Sequence, residues 1–266
     1  MDDLRYRLDD RAPGEDNYSV GLARPLPYVI SSTIEAPTGA TRRGVAGDHV
    51  RASEVREAVQ IRALGPIELI VDGRTVPVSS TKQRTLLALL VLYRSTVVPN
   101  DVLINGLWTD QPPPSAGATL RTLVARLRRA MAAAIGHMDA VPLRGTGAGY
   151  LLELSPQQLD TREFERLASE GHRALSQGQV HEAQIALQDA LDLWRGPAFD
   201  ELTSMDSAAI EAHRLEEARL AALEDLADCK LALERPAEAL SLLEAHVSSH
   251  PLRERPWGQL MLALYR

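Results

Sequence analysis

The 266-residue sequence predicts a mainly α fold with a small β part, organised as two successive domains behind an N-terminal extension. Three observations carry this expectation. Residues 60–155 alternate short β-like runs with amphipathic helical segments. From Asp160 onward the apolar spacing is helical throughout, and Leu and Ala dominate. Residues 1–59 lack sustained periodicity and are dotted with prolines and glycines, so they are expected to remain a disordered extension.

Within 60–155, alternating apolar residues flank Gly65-Pro66 and Asp72-Gly73, which predicts two or three short antiparallel strands. TKQRTLLALLVLYR has an apolar stripe at helical spacing, with Ser80 or Thr81 placed to cap it. NDVLINGLW after Pro99 forms a second, short helix that Asn100 or Asp101 can cap, and the prolines of DQPPPSAG end it. A third helix runs from Ser115 to about Ala133. VPLRGTGAGYLLEL then reads as strand, glycine-rich turn, strand.

Residues 156–266 predict an all-α, tetratricopeptide-like repeat domain. TREFERLASEGHRALSQG and HEAQIALQDALDLW pair across Gly178, and a long helix near 206–233 pairs with PAEALSLLEAHVSSH after Arg235-Pro236. LMLALYR lies inside a further helix, and the natural domain is expected to continue beyond it.

Charge is unevenly distributed. Residues 60–155 carry 10 basic and 6 acidic side chains, whereas residues 156–266 carry 11 and 20, within a net charge of −7. A modestly basic block beside a strongly acidic one suggests different partners. A single cysteine, Cys229, excludes an internal disulfide or Cys-based zinc site and fits a reducing, cytoplasmic setting. The charged N-terminus is no secretory signal, and no stretch has the length of a membrane span.

The basic block concentrates in TLRTLVARLRRAM, residues 119–131. Leu120, Leu123, Val124, Leu127 and Met131 form one stripe that must be buried. Arg121 and Arg128 form one row on the other side; Thr119, Thr122, Arg126 and Arg129 form the adjacent row, with Ala118 and Ala125 keeping the surface low. No acidic residue lies within the segment. A solvated helix usually mixes signs, so the pattern favours a DNA-binding face over the two alternatives, a solvated surface and one that meets an acidic protein. The following RGTGAG lies between two strands, which excludes a dinucleotide loop, and it lacks the GK[ST] of a P-loop. It reads as a hairpin with Arg144 and Thr146 near its tip, placed for a groove or phosphate contact, while Gly147 and Gly149 serve turn geometry.

LGPIELIVDGRTVPV, TKQRTLLALLVLYRSTVVPNDVLINGLW, TLRTLVARLRRAM and GYLLEL together resemble the winged helix-turn-helix DNA-binding domain of OmpR/PhoB type. LDTREFERLASEGHRAL, LWRGPAFDEL, RLEEARLAALED and HPLRERPWGQLMLALYR resemble the bacterial transcriptional activation domain. The pairing is similar to the Streptomyces antibiotic regulatory protein (SARP) family, over about residues 60–266. The resemblance implies a transcription activator that binds direct repeats of double-stranded promoter DNA near the −35 element, as a homodimer there. It also implies recruitment of RNA polymerase holoenzyme through its sigma subunit, for antibiotic biosynthesis genes. Carried over by position, Thr119, Arg121, Thr122, Arg126 and Arg128 fall on the recognition helix. Arg129 extends its cationic face, and Arg144 or Thr146 takes the wing position. Lys82 and Arg84, near the start of the first helix, are candidates for phosphate contacts or for simple solvation.

No nucleophile, base and oxyanion set can be assembled, so no enzyme activity, cofactor or metal is expected. His172, His181, His213, His246 and His250 are scattered without a ligand motif, Trp108 and Trp194 read as packing residues, and Cys229 reads as a small core residue. Two other readings fit the same sequence: a protein–protein adaptor, and the regulatory end of a larger signal-transduction ATPase.

Overall fold

The computed structural model describes residues 59–108, 111–202 and 205–266. The extension expected over 1–59 lies outside these residues except for Val59, which already opens the first strand.

Strands β1 (Val59–Arg62), β2 (Glu68–Val71) and β3 (Arg74–Val76) form an antiparallel sheet in that order. Asp72 and Gly73 connect β2 to β3 with φ of 49° and 73°, the positive pair that a two-residue hairpin turn of matching twist requires. Helices α1 (Thr81–Leu92), α2 (Asn100–Trp108) and α3 (Ala116–Ile135) follow. Ser80 caps α1, its side chain accepting from the Gln83 N–H. β5 (Leu143–Gly145) and β6 (Gly149–Leu152) form the closing hairpin. A third strand joins it: β4 (Val98–Pro99) pairs with β6. Two residues including a proline carry no strand periodicity, and tertiary pairing alone places them at the edge of the sheet.

The second half is helical: α4 (Asp160–Ser176), α5 (Val180–Asp192), α6 (Asp206–Ala232), α7 (Pro236–Ser249) and α8 (Glu254–Tyr265). Gly178, at φ 75°, turns α4 back onto α5. No helix of the described residues is long and apolar enough to cross a membrane.

The apolar core does not stop between the two halves. Leu86, Leu89, Leu103 and Leu127 share one cluster with Phe164, Phe199, Leu202 and Leu215. Polar contacts reinforce the junction at the loop 63–67. The buried Asp160 carboxylate accepts from the N–H groups of Ala63 (2.7 Å) and Leu64 (3.0 Å), and Glu201 accepts from the Ile67 N–H (2.9 Å). Arg195 donates to the Pro66 carbonyl (2.9 Å) and lies 3.2 Å from Glu68. The two halves are therefore braced against each other as well as joined by chain.

Candidate nucleic-acid interface

α3 is built from strong helix formers, and its buried stripe is Ala116, Leu120, Leu123, Val124, Leu127 and Met131. Burying a leucine side chain such as Leu127 contributes about 1.5–3 kcal/mol, so the stripe fixes which face turns outward. The helix stops at Gly136, whose φ of 89° suits a left-handed cap that donates to the Ala132 carbonyl. Ser115 opens it without a side-chain cap bond; its carbonyl accepts from the Thr119 N–H instead.

Ala118, Arg121, Thr122, Ala125, Arg126 and Arg129 are exposed, and Thr119 and Arg128 are half-buried. The threonine hydroxyls donate back to their own helix, Thr119 to Ser115 and Thr122 to Ala118, which leaves their lone pairs and methyl groups outward. Arg129 bonds the Ala125 carbonyl through Nε alone. Arg128 Nε is buried without a hydrogen-bond partner. Among the described residues, none of the four α3 arginines forms an ion pair, whereas Arg144, Arg166, Arg214, Arg253 and Arg255 each hold a carboxylate. Four cations on one helix without a counter-charge repel each other and favour an anionic partner.

The hairpin tip is closed by Thr146. Its N–H donates to the Gly149 carbonyl (2.8 Å), and its hydroxyl oxygen accepts from the Gly149 N–H (3.1 Å). Thr146 thus shapes the tip as well as standing at it. Arg144 pairs with Glu153 at 2.7 Å on an exposed edge, a pair that a phosphate can displace at small cost. Gly149 differs from the turn residue expected. It lies in β6, where a Cβ would sit 1.9 Å from the Val98 carbonyl oxygen, so the requirement is close approach of β4 rather than a turn angle.

Lys82 and Arg84 are engaged with neighbouring elements rather than simply solvated. The Lys82 ammonium stacks on the Trp108 ring, 3.9 Å from its centre, and donates to the Leu107 carbonyl at 3.4 Å. Partial burial holds its pKa below the ordinary lysine value. Arg84 donates to the Val78 carbonyl and lies 3.8 Å from Glu201 across the junction. Long side chains reach neighbouring elements that linear spacing does not reveal.

Comparisons with known proteins place both halves of the chain in known families. Residues 74–152 match the family described as "Transcriptional regulatory protein, C terminal", and residues 159–266 match "Bacterial transcriptional activator domain". Regulatory protein DnrI of Streptomyces peucetius is 40% identical over 212 residues, spanning 78% of each chain. The chain belongs to the Streptomyces antibiotic regulatory protein family. Another relative, transcriptional regulator RedD of Streptomyces coelicolor, is 34% identical over 214 residues, 78% of this chain and 59% of its own. The solved structure of Mycobacterium tuberculosis EmbR in complex with a low-affinity phosphopeptide superimposes with a TM-score of 0.71 at 33% identity. That match covers 78% of this chain and 55% of EmbR.

This SARP member is thus a DNA-binding regulator of the activator type, with an OmpR/PhoB-type winged helix followed by tetratricopeptide-like helices. Trp194, Cys229 and His246 lie in the packed interior of the helical half. Trp194 packs edge-on against Phe164, with the Arg219 guanidinium over its ring. Cys229 is buried, and burial pushes its thiol up to about 11. His246 is buried beside Glu224, and burial holds its pKa below the usual histidine value. No group of three or more His, Cys, Asp or Glu among the described residues could hold a metal.

Proposed function

We propose that this regulator inserts α3 into the major groove of promoter DNA, as a homodimer on direct repeats near the −35 element. There it recruits RNA polymerase holoenzyme through sigma to secondary-metabolite genes. The observation that carries the reading is the uncompensated row of arginines on the outer face of a helix anchored by its leucines. Arg121 and Arg126 read base edges, since a guanidinium can bond guanine bidentately. Arg128 and Arg129 hold phosphates, and Thr119 and Thr122 contact thymine methyls or the backbone. Arg144, released from Glu153, and Thr146 follow the adjacent strand. The winged helix at 60–155 reads the DNA, and the helical domain at 156–266 supplies the polymerase and dimer contacts.

Binding of labelled promoter duplex, followed by anisotropy, tests the assignment. Arg126→Ala should weaken specific binding by about 1–3 kcal/mol, the cost of a lost base contact. Footprinting with and without holoenzyme tests recruitment: greater polymerase occupancy supports activation, and exclusion of polymerase would mean repression. An unchanged affinity and footprint in Arg126→Ala would remove α3 from the reading surface.

A further inference from the structure

α2 buries fewer residues than the helices on either side of it. It has nine residues, only Leu103 and Leu107 of which are buried, and no basic residue in its last turn. Yet it must fix the launch point of α3. From Trp108, its last residue, the chain reaches Gln111, whose N–H donates to the Trp108 carbonyl, and then Pro113, whose carbonyl accepts from the first N–H of α3. Gly106 brings α2 close to α1, since a Cβ there would lie 2.8 Å from the Leu89 side chain.

The first turn of α1 supplies what α2 lacks. Lys82 places its ammonium 3.4 Å from the Leu107 carbonyl and 3.9 Å from the centre of the Trp108 ring. A cation at a helix C-terminus meets unsatisfied carbonyls and the negative end of the helix dipole. The tryptophan ring adds a cation–π contact on the same atom. We infer that Lys82 is a positioning residue for DNA reading, which clamps Leu107 and Trp108 and thereby sets the entry of the chain into α3. It acts through α2, without itself touching the nucleic acid. The inference rests on the proposal that α3 reads DNA.

The probe is a duplex selected by the wild-type chain from a randomised library, compared with a mixed-sequence duplex across a salt series. Lys82→Met keeps the aliphatic stem and removes the charge. It should lower affinity for the selected duplex roughly fivefold, as expected for a lost cation–π contact, and leave the mixed duplex and the salt slope unchanged. Trp108→Leu should act alike, the double variant should be no worse than either single one, and Lys82→Arg should restore binding. A fall of about 0.9 in the salt slope of Lys82→Met would overturn the inference by placing the lysine on a phosphate. Equal losses on both duplexes, wild-type affinity, or additive losses in the double variant would overturn it as well. A wild-type chain that selects no sequence would overturn the DNA-reading proposal itself, an outcome distinct from all of these.

Discussion

Gly149 shows how much of the interface depends on a missing methyl group. β4 crosses β6 so closely that a Cβ at 149 would overlap the Val98 carbonyl and crowd Pro99. Gly147, two residues away at the tip, has open space where its Cβ would be. Gly149→Ala should therefore destabilise the protein by about 1–3 kcal/mol, as overpacking does, and separate β4 from the hairpin. Gly147→Ala should stay within about 0.5 kcal/mol of wild type. Thermal melting of the two variants checks the contrast, and equal melting temperatures would refute the packing argument. Since neither glycine has a positive φ, turn propensity cannot distinguish them.

At the level of the element, α3 was legible in the sequence because its two faces have opposite demands. Leucines at helical spacing specify the buried stripe, and the structure buries Leu120, Leu123, Val124, Leu127 and Met131. The Asp72-Gly73 hairpin and the Gly178 break were legible for a similar reason, since local backbone chemistry determines them. What could not be read locally depends on distant partners. β4 exists only because β6 lies beside it, and Lys82 and Arg84 find Trp108 and Glu201 through folding. Within α3 the arginines should separate by role. Arg129→Ala should weaken selected and mixed duplexes alike and lower the salt slope by about 0.9, as one lost phosphate contact does. Arg126→Ala should instead lower the preference for the selected duplex. Salt-dependent anisotropy on both duplexes makes the distinction, and identical behaviour of the two variants would contradict it.

Over the whole molecule, the shared core and the grip on loop 63–67 make the winged helix and the helical array a mechanical unit. Asp160 is the centre of that grip. Its carboxylate satisfies two N–H groups of fully buried residues, and Arg195 lies 3.6 Å away. Asp160→Ala leaves those donors without an acceptor, so stability should fall by roughly 2–5 kcal/mol, measured by denaturant unfolding at neutral pH. The pH profile carries a second signature. Burial raises the Asp160 pKa, against the pull of the Ala63 and Leu64 N–H groups and of Arg195. Between the unfolded value of 3.8 and the higher folded value, the native state holds more of this proton than the unfolded chain. The contribution of this group to stability therefore falls as pH rises through that window, and Asp160→Ala should lack the fall. If the variant keeps both wild-type stability and the wild-type acid profile, the junction is held by apolar packing and by the Glu201 and Arg195 contacts. The relative placement of α3 and the helical array would then owe nothing to Asp160.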